Sequence, residues 1–305
     1  MVPVSVPAAH IAGAGCAAPD PIAAQAVARR SPIALYYGLK LALVNGEVFE
    51  WRGNAHPRRV LGQATHVAVN AGSGFAIDTH HRALHWVEGS NTINVLLDNV
   101  AFLAAGESSL MAIRCDGSLW QRKAGTPAWH RIADAATHAW VGDSADYYID
   151  AQGTLFASGK AHRGQYGNGS LVEAPGWLAV AQEAVAVYSH TGHAVFLRRD
   201  GGVMGTGGNR FGPLGTHGYG DKAECWGVIF EGASRLGTGA SHSMAIRADR
   251  SLWGWGAADG LQAKPLLADV AAAIGGDTET LALQTDGSVW HWPVGSAPRQ
   301  VIFPR

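Results

Sequence analysis

The stretch SLMAIRCDGSLWQR, residues 109–122, returns twice later in the chain. SMAIRADRSLWGWG occupies residues 243–256, and TLALQTDGSVWHWP occupies residues 280–293. Each copy holds an apolar run, a turn dipeptide, and an aliphatic residue followed by tryptophan. Asp-Gly between short apolar runs is the strongest local signal for a β-hairpin, because both central residues of a type I′ turn need positive φ. The stretch therefore predicts a chain built from copies of one hairpin unit.

The unit occurs seven times, with an aliphatic residue three positions after the first member of each turn dipeptide. Successive turns are 36, 35, 36, 48, 49 and 37 residues apart. About 36 residues suffice for four strands of about five residues joined by short turns. Each unit is therefore predicted to be one four-stranded antiparallel sheet. The seven turn dipeptides are Asn45-Gly46, His81-Arg82, Asp116-Gly117, Gln152-Gly153, Asp200-Gly201, Asp249-Arg250 and Asp286-Gly287.

Small sheets of this kind must stack on one another, and radial stacking leaves few free strand edges. An open β-solenoid is the alternative. The chain ends favour the propeller: SPIALYYG (31–38) matches VAVNAG (67–72), which opens a unit, and APRQVIF (297–303) matches HPRRVLG (56–62), which ends one. We therefore predict an all-β fold, a seven-bladed β-propeller of four-stranded antiparallel blades, with the ring closed by the N- and C-terminal strands.

The length and the amino-acid composition favour a soluble globular protein. The chain has 305 residues, of which 47% are hydrophobic and 15% charged, and Gly or a polar residue interrupts every hydrophobic run. A formal net charge of −1 predicts no nucleic-acid partner and no membrane partner. The three cysteines, Cys16, Cys115 and Cys225, have no CxxC spacing, which argues against a disulfide framework or a structural zinc and favours a reducing compartment.

Residues 1–30 are predicted to be an Ala-rich N-terminal extension, and residues 31–305 the propeller. The extension contains no Lys or Arg before Arg29, so it lacks the cationic start of a secretory signal. We therefore expect a cytoplasmic protein, or one exported by a route without a recognisable signal peptide.

Residues 31–305 resemble the regulator of chromosome condensation repeats. That repeat carries G-x-x-H, an apolar run, D-G-x-[LV]-[WF], W-G and a loop G-x-N-x-x-G-Q-L-G. GASHSMAIRADRSLWGWG (239–256) carries the first parts, while SGKAHRGQYGNGS (158–170) and GTGGNRFGPLG (205–215) resemble the loop. Five units are trimmed to about 36 residues, so the chain looks more like compact bacterial members, such as the propeller-type β-lactamase inhibitor protein.

This family is a scaffold for many functions, and the resemblance implies a non-catalytic recognition or inhibitory module that binds another protein through loops on one rim. One alternative is a guanine-nucleotide-exchange-like effector acting on a small GTPase, although the basic tail of the eukaryotic exchange factor is absent. The other alternative is a propeller enzyme, a lyase or hydrolase with a site in the central channel.

The two longer units insert about a dozen residues each, over 157–184 and 205–236. Tyr, Trp and Arg are enriched at binding hot spots, and loops on a rigid scaffold are where binding residues collect. Tryptophans 129, 177 and 226 also lie outside the repeat register. The alternative is that the inserts only restore the full family loop. The predicted partner-binding residues are Arg163, Tyr166, Trp177, Arg210, Phe211, Tyr219 and Trp226.

No catalytic residue, metal site or cofactor is predicted. His81 and His85 straddle a turn and would need a third ligand from elsewhere. No G-x-S-x-G elbow is present, and no Cys lies in a recognisable setting with a His. His242 and His193 fall on the G-x-x-H position of the family repeat, where we expect each side chain to hydrogen-bond within its own blade.

Overall fold

The computed structural model describes residues 30–217 and 220–304, together with Ser5, Val6 and Gln25. The strands form seven antiparallel sheets, each built on four consecutive strands of the chain in sequence order, and one of them takes up a fifth, short strand. The protein is therefore a seven-bladed, all-β propeller, as the repeat predicts. The proposed 1–30 extension lies outside the described residues, apart from positions 5, 6, 25 and 30.

A short strand, β1 (Ser5–Val6), precedes the blades and pairs antiparallel with β13. The first blade consists of β2 (Ile33–Tyr36), β3 (Leu39–Val44), β4 (Glu47–Arg52) and β5 (Arg58–Leu61). The second consists of β6 (Ala64–Asn70), β7 (Ser73–Asp78), β8 (Ala83–Val87) and β9 (Asn94–Leu97). The third consists of β10 (Val100–Ala105), β11 (Ser109–Arg114), β12 (Leu119–Lys123) and β13 (Trp129–Ala133). The fourth consists of β14 (Ala136–Trp140), β15 (Ala145–Asp150), β16 (Leu155–Gly159) and β17 (Leu178–Ala181).

The fifth blade consists of β18 (Ala184–Ser189), β19 (His193–Arg198), β20 (Val203–Gly208) and β21 (Lys222–Phe230). The sixth consists of β22 (Ala233–Thr238), β23 (His242–Arg247), β24 (Leu252–Gly256) and β25 (Lys264–Leu267), with a 3-10 turn at Ala257–Asp259 between its last two strands. The seventh consists of β26 (Val270–Gly275), β27 (Glu279–Gln284), β28 (Val289–Pro293) and β29 (Arg299–Gln300).

Burial along the strands explains why the repeat reads as short apolar runs. The first five residues of β10 and of β11 are all buried, with no alternation between the two faces. Strands covered on both faces are apolar throughout rather than at every second position. The fourth strand of each blade is more exposed; β17, for example, exposes its first two residues. The core therefore lies between the first three strands of neighbouring blades.

The sequence predicts type I′ geometry at the turn dipeptides, but not every hairpin turn has it. Asn45 and Gly46 both have positive φ, 53° and 80°, as that turn requires. At Asp116-Gly117 only the glycine does, and the Asp116 carboxylate accepts the N–H of Ser118 at 3.0 Å and its hydroxyl at 2.6 Å. The aspartate thus fixes its turn through its side chain, as Asx turns do.

The turn of the second blade lies one residue earlier than the sequence pattern suggests. Ala83, rather than Leu84, begins the strand after the turn and pairs with Ile77. His81 has a φ of 61° and is the second turn residue instead of the first. The pattern was ambiguous because Ala83 and Leu84 are both apolar.

The predicted closure of the ring by paired N- and C-terminal strands is wrong. β29 pairs with β28, through Trp290↔Gln300 and His291↔Arg299, and completes the seventh blade. The first blade already has four strands of its own within residues 33–61, so no strand position is left for the C-terminal segment. That segment reaches the first blade by a side chain instead.

Phe303 makes this contact. Its ring centroid lies 4.9 Å from that of Phe49 and 5.9 Å from that of Trp51, which it meets edge-on. Edge-to-face contacts at such distances stabilise aromatic clusters. An aromatic contact, rather than a shared β-sheet, therefore anchors the end of the chain to the first blade.

The chain divides into two compact units, Met1–Val141 with Phe303–Arg305, and Gly142–Ile302. In the first unit, Cys115 is disulfide-bonded, contrary to the expectation from the cysteine spacing, which argued against disulfides. In the second, Cys225 is a free and exposed thiol. Of the helical segments that the structure describes, none is long and apolar enough to cross a lipid bilayer.

Candidate protein-binding site

In the insert of the fifth blade, the side chain of Asn209 fixes the backbone of the segment 209–217. Asn209 Oδ1 accepts the Leu214 N–H at 2.9 Å, and Asn209 Nδ2 donates to the His217 carbonyl at 3.0 Å. A backbone bond of 2.9 Å from the Gly212 N–H to the Asn209 carbonyl closes the first turn, and Gly212 has a φ of 78°. An amide side chain both donates and accepts, which is why asparagine suits this position.

The same insert is fixed to the sixth blade. Leu214 is fully buried in a cluster that includes Trp255. Trp255 Nε1 donates to the Pro213 carbonyl at 2.8 Å, and the Ala257 N–H donates to the Phe211 carbonyl at 2.5 Å. A loop anchored in this way loses little conformational entropy when it binds a partner.

Arg210 and Phe211 are adjacent exposed residues of this insert. Phe211 is 59% exposed, and the Arg210 guanidinium lies 5.7 Å from its ring centroid, within the range of a cation–π contact. Leu261, which follows the 3-10 turn of the sixth blade, is 53% exposed. A Cβ at position 212 would lie 2.5 Å from Leu261 Cδ2, so Gly212 lets Leu261 approach the insert closely.

These side chains line a groove of about 650 Å³ between the two loops. The charged residues of the lining are Arg210 and Asp221, which have opposite signs. Neither forms an ion pair with any other residue in the described part of the chain. The groove therefore combines exposed apolar surface with two unpaired charges. Its lining also includes Asn209, Gly212, Gly215, Thr216, Gly220, Ala257 and Gly260.

The insert of the fourth blade carries two other predicted residues, Arg163 and Tyr166, one exposed and one buried. Arg163 is exposed, and the stem of its side chain packs over Gly192, where a Cβ would lie 2.8 Å from Arg163 Cδ. Tyr166 has no exposed surface, and its hydroxyl donates to the Gly159 carbonyl at 2.6 Å. Tyr166 therefore anchors its loop, in the way that Leu214 anchors the other insert.

The two predicted tryptophans, Trp177 and Trp226, are half-buried. Trp177 packs edge-on against Tyr148, with ring centroids 5.0 Å apart. Trp226 packs in the same manner against Phe196 at 4.8 Å and is also in contact with Gly167. Trp129, the third tryptophan outside the repeat register, is fully buried. Tyr219 lies outside the described residues.

The structure thus brings Arg210 and Phe211 together with Leu261 and Asp221, which the sequence did not single out. Leu261 belongs to a trimmed unit, and only its contact with the insert of the preceding blade makes it part of a site. A useful sequence signal was the Gly260-Leu261 pair, because it follows W-G as Gly-Gln-Leu-Gly follows it in the full family repeat. Asp221 carried no such signal.

A second polar cluster lies in the Gly142–Ile302 unit, where the first strand of a blade turns into the second. His190 Nδ1 is 3.2 Å from Asp143 Oδ2, and the Thr191 hydroxyl donates to the same oxygen at 3.3 Å. Burial, with a smaller effect of the Asp143 charge, raises the pKa of Asp277. Within residues 30–217 and 220–304, no group of three or more His, Cys, Asp or Glu side chains is placed to hold a metal ion.

His193 and His242 link neighbouring blades, rather than bonding within their own blade as the sequence suggested. His193 Nε2 lies 2.8 Å from Thr238 Oγ1 of the sixth blade, and His242 Nε2 lies 3.1 Å from Thr280 Oγ1 of the seventh. Burial is the main cause that lowers the pKa of His193 to about 3 and that of His242 to about 4. Both imidazoles are therefore neutral structural groups at neutral pH.

No protein-family sequence model matches the chain. Its structure is similar to that of human WBSCR16, with a TM-score of 0.72, 11% identity, and coverage of 82% of this chain and 84% of that one. It is also similar to yeast RCC1 (Prp20) bound to Kap60, with a TM-score of 0.69, 13% identity, and coverage of 81% and 78%.

The CRINKLY WD40 ectodomain of the Arabidopsis thaliana receptor kinase ACR4 is similar as well, with a TM-score of 0.63, 14% identity, and coverage of 90% and 98%. At these identities the likeness concerns the fold. The chain is a seven-bladed repeat propeller with RCC1-like structural neighbours, which agrees with the resemblance seen in its sequence.

Proposed function

We propose that this chain is a non-catalytic protein-binding propeller, and that its contact surface is the patch formed by Arg210, Phe211 and Leu261. The observation that carries the proposal is the exposure of Phe211 and Leu261 beside a groove on two mutually anchored loops. Large apolar side chains that are more than half exposed and line a common groove are typical of interaction sites. Arg and aromatic residues are also enriched among the residues that dominate binding energy.

The structural neighbours support a protein as the partner. Yeast RCC1 (Prp20) has been crystallised bound to Kap60, and binding of Prp20p to Gsp1p and histones has been characterised. For this chain we propose another protein, with neither a nucleic acid nor a membrane as partner, because its net charge is only −1. Of the other predicted residues, Arg163 and Trp177 are accessible enough to extend the surface, whereas Tyr166 and Trp226 support the loops.

A capture experiment tests this proposal. Immobilised wild-type chain and the variants Arg210→Ala and Phe211→Ala are compared by quantitative mass spectrometry of the proteins that they retain. Val87→Ala is the matched control, because Val87 is 57% exposed and belongs to the second blade, whereas the patch belongs to the fifth and sixth blades. We expect a partner that is retained by wild type and by Val87→Ala and lost from both patch variants. A partner retained equally by all four proteins would place the site elsewhere.

Guanine-nucleotide exchange is the second candidate, and the described binding of Prp20p to Gsp1p favours it. It predicts that the chain accelerates release of a fluorescent GDP analogue from a Ran-type GTPase. A release rate that does not change with concentration of the chain argues against it. The third possibility from the sequence, an enzyme with a site in the central channel, has the pair His190 and Asp143 as its polar groups, and no further observation favours it.

A more specific version of the proposed function is that the chain inhibits the protein that it binds. The resemblance to compact bacterial family members implies this version. It predicts that an equimolar amount of the chain lowers the activity of the captured partner and that Phe211→Ala restores this activity. For location we propose the cytoplasm, or export by a route without a recognisable signal peptide. The disulfide at Cys115 favours the second, because disulfides persist in oxidising compartments.

A further inference from the structure

We propose that the groove beside Phe211 and Leu261 takes a segment of the partner protein in which one apolar side chain lies between an acidic and a basic side chain. This inference rests on the proposed protein-binding function and specifies the chemistry of the partner. It follows from three features of the groove: its exposed apolar residues, its two unpaired charges, and its open floor.

The apolar residues define the centre of the segment. Phe211 and Leu261 are 59% and 53% exposed and line the same groove. Their backbones are fixed, because the Ala257 N–H bonds to the Phe211 carbonyl and Gly212 packs under Leu261. An apolar partner side chain seated between them would remove both from water without rearrangement of either loop.

The charges define the flanks of the segment. Two lysines of the same blades have ion-pair partners: Lys222 Nζ lies 2.7 Å from Glu224, and Lys264 Nζ lies 3.0 Å from Asp259. Arg210 and Asp221 line the groove, and among the described residues neither has such a partner. A partner that covered these two charges without countercharges would leave them desolvated and unpaired, which is unfavourable. The complementary segment therefore has a carboxylate for Arg210 and a cation for Asp221.

The floor of the groove favours a polypeptide over a small molecule. Gly212, Gly215 and Gly260 line it; a Cβ at position 260 would meet no atom within 4 Å, whereas Cβ atoms at positions 212 and 215 would meet Leu261 at 2.5 and 3.0 Å. A backbone segment can therefore lie close to the groove at Gly260. Small-molecule pockets usually enclose about 70–90% of the ligand surface. Walls whose main side chains are more than half exposed do not enclose a ligand to that degree.

Selection from a phage-displayed library of random peptides tests the inference without a known partner. Wild-type chain is the bait, and the variant Thr216→Phe is the counter-selection bait, because Thr216 is an exposed residue of the lining and a phenylalanine there would fill the groove. We expect enriched peptides to carry an acidic, an apolar and a basic residue in close succession. Synthetic versions are then measured by fluorescence polarisation.

Three variants separate the contributions to the affinity of an enriched peptide. Phe211→Ala is expected to weaken binding at least about tenfold, as loss of a buried aromatic anchor does. Arg210→Glu is expected to weaken it about tenfold and, in a fresh selection, to enrich a basic residue in place of the acidic one. Arg210→Lys retains the charge and should retain the acidic preference. Circular dichroism confirms that each variant is folded.

The outcomes distinguish failure of this inference from failure of the proposed protein-binding function. Peptides that need Phe211 but show no preference for charge overturn the inference and leave the protein-binding patch intact. Peptides that bind Phe211→Ala and Thr216→Phe as well as wild type overturn both. Native mass spectrometry that shows a bound small molecule in wild type, and none in Thr216→Phe, overturns the inference in favour of a small ligand. Failure to enrich any peptide overturns it as well.

Discussion

Acidification is expected to destabilise the unit formed by residues 1–141 and 303–305 through one buried histidine, His66. Its Nε2 donates to the Leu103 carbonyl at 2.6 Å, and its Nδ1 accepts the Ser31 N–H at 2.8 Å. One ring nitrogen donates while the other accepts, so this pair of bonds fits only the neutral imidazole. A second proton would stand on Nδ1, facing the Ser31 N–H. Burial is the main cause that lowers the pKa of His66 to about 4.

The size of this destabilisation follows from two pKa values of the His66 side chain. The pKa is 6.5 in the unfolded state and about 4 in the folded state. Above pH 6.5 the imidazole ring is neutral in both the folded and the unfolded state, so it contributes no pH dependence to the free energy of unfolding. Below it, the unfolded chain binds a proton that the folded chain does not. The free energy of unfolding therefore falls by about 1.4 kcal/mol per pH unit until the pH reaches the folded pKa. At a pH of about 5 the loss amounts to about 2 kcal/mol.

Urea unfolding, followed by tryptophan fluorescence between about pH 7 and pH 5, measures this dependence. The informative variant is His66→Gln, whose amide keeps a donor and an acceptor but has no proton to gain. This variant is expected to be less stable than wild type at neutral pH. On acidification its free energy of unfolding should fall less steeply than that of wild type, and the two slopes should differ by about 1.4 kcal/mol per pH unit. His56→Gln is the matched control, because His56 is exposed.

A pH dependence that is the same in His66→Gln as in wild type would refute the reasoning, whatever the stability of the variant at neutral pH. His193 and His242 are buried with lowered pKa values in the other unit, so wild type retains a further acid sensitivity that this variant does not remove. The measured quantity is therefore the difference between the two slopes and not either slope alone.

Three further changes test the packing of the blades and inserts. Leu214→Ala should cost about 2–5 kcal/mol in urea unfolding, because Leu214 is fully buried and its removal leaves a cavity; a cost near zero would mean that the insert is not anchored. Gly74→Ala should cost at least about 1–3 kcal/mol by the same assay, because a Cβ there would overlap the buried Trp86 ring, whereas Gly72→Ala, with open space around its Cβ, is the control. Phe303→Ala should lower the free energy of unfolding by about 1–2 kcal/mol and speed carboxypeptidase digestion of the C-terminal segment, because it removes the ring contact with the first blade; digestion at the wild-type rate would contradict that anchoring role.

The repeating hairpins could be predicted because their determinants are local. A turn such as Asp116-Gly117 needs only its own glycine and the carboxylate that accepts the Ser118 N–H, all within three residues. The count of seven and the four strands per unit follow from the spacing of such turns. Closure was predicted wrongly, because similarity between segments 56–62 and 297–303 shows that both are fourth strands but not which sheet each one joins.

The site was predictable only in part. Arg210 and Phe211 occupy the two adjacent variable positions, between the Asn and the Gly, of the loop that resembles the family repeat, and both are exposed. Tyr166 and Trp226 are aromatic like Phe211, yet Tyr166 is fully buried and Trp226 packs edge-on against Phe196. Residue type could not separate these pairs, because an aromatic ring that anchors a loop and one that contacts a partner are chemically alike.

The amino-acid sequence by itself determined the blades, their number and the inserts of the fourth and fifth units, since hairpins, turns and apolar runs depend on residues a few positions apart. Only the tertiary structure decided that Leu261 and Asp221 join Phe211 around one groove, and that His193 and His242 bond to the following blade. These contacts join residues 10 to 50 positions apart and depend on how each loop packs on its neighbours. That packing is set by many weak contacts together, and no short segment encodes it.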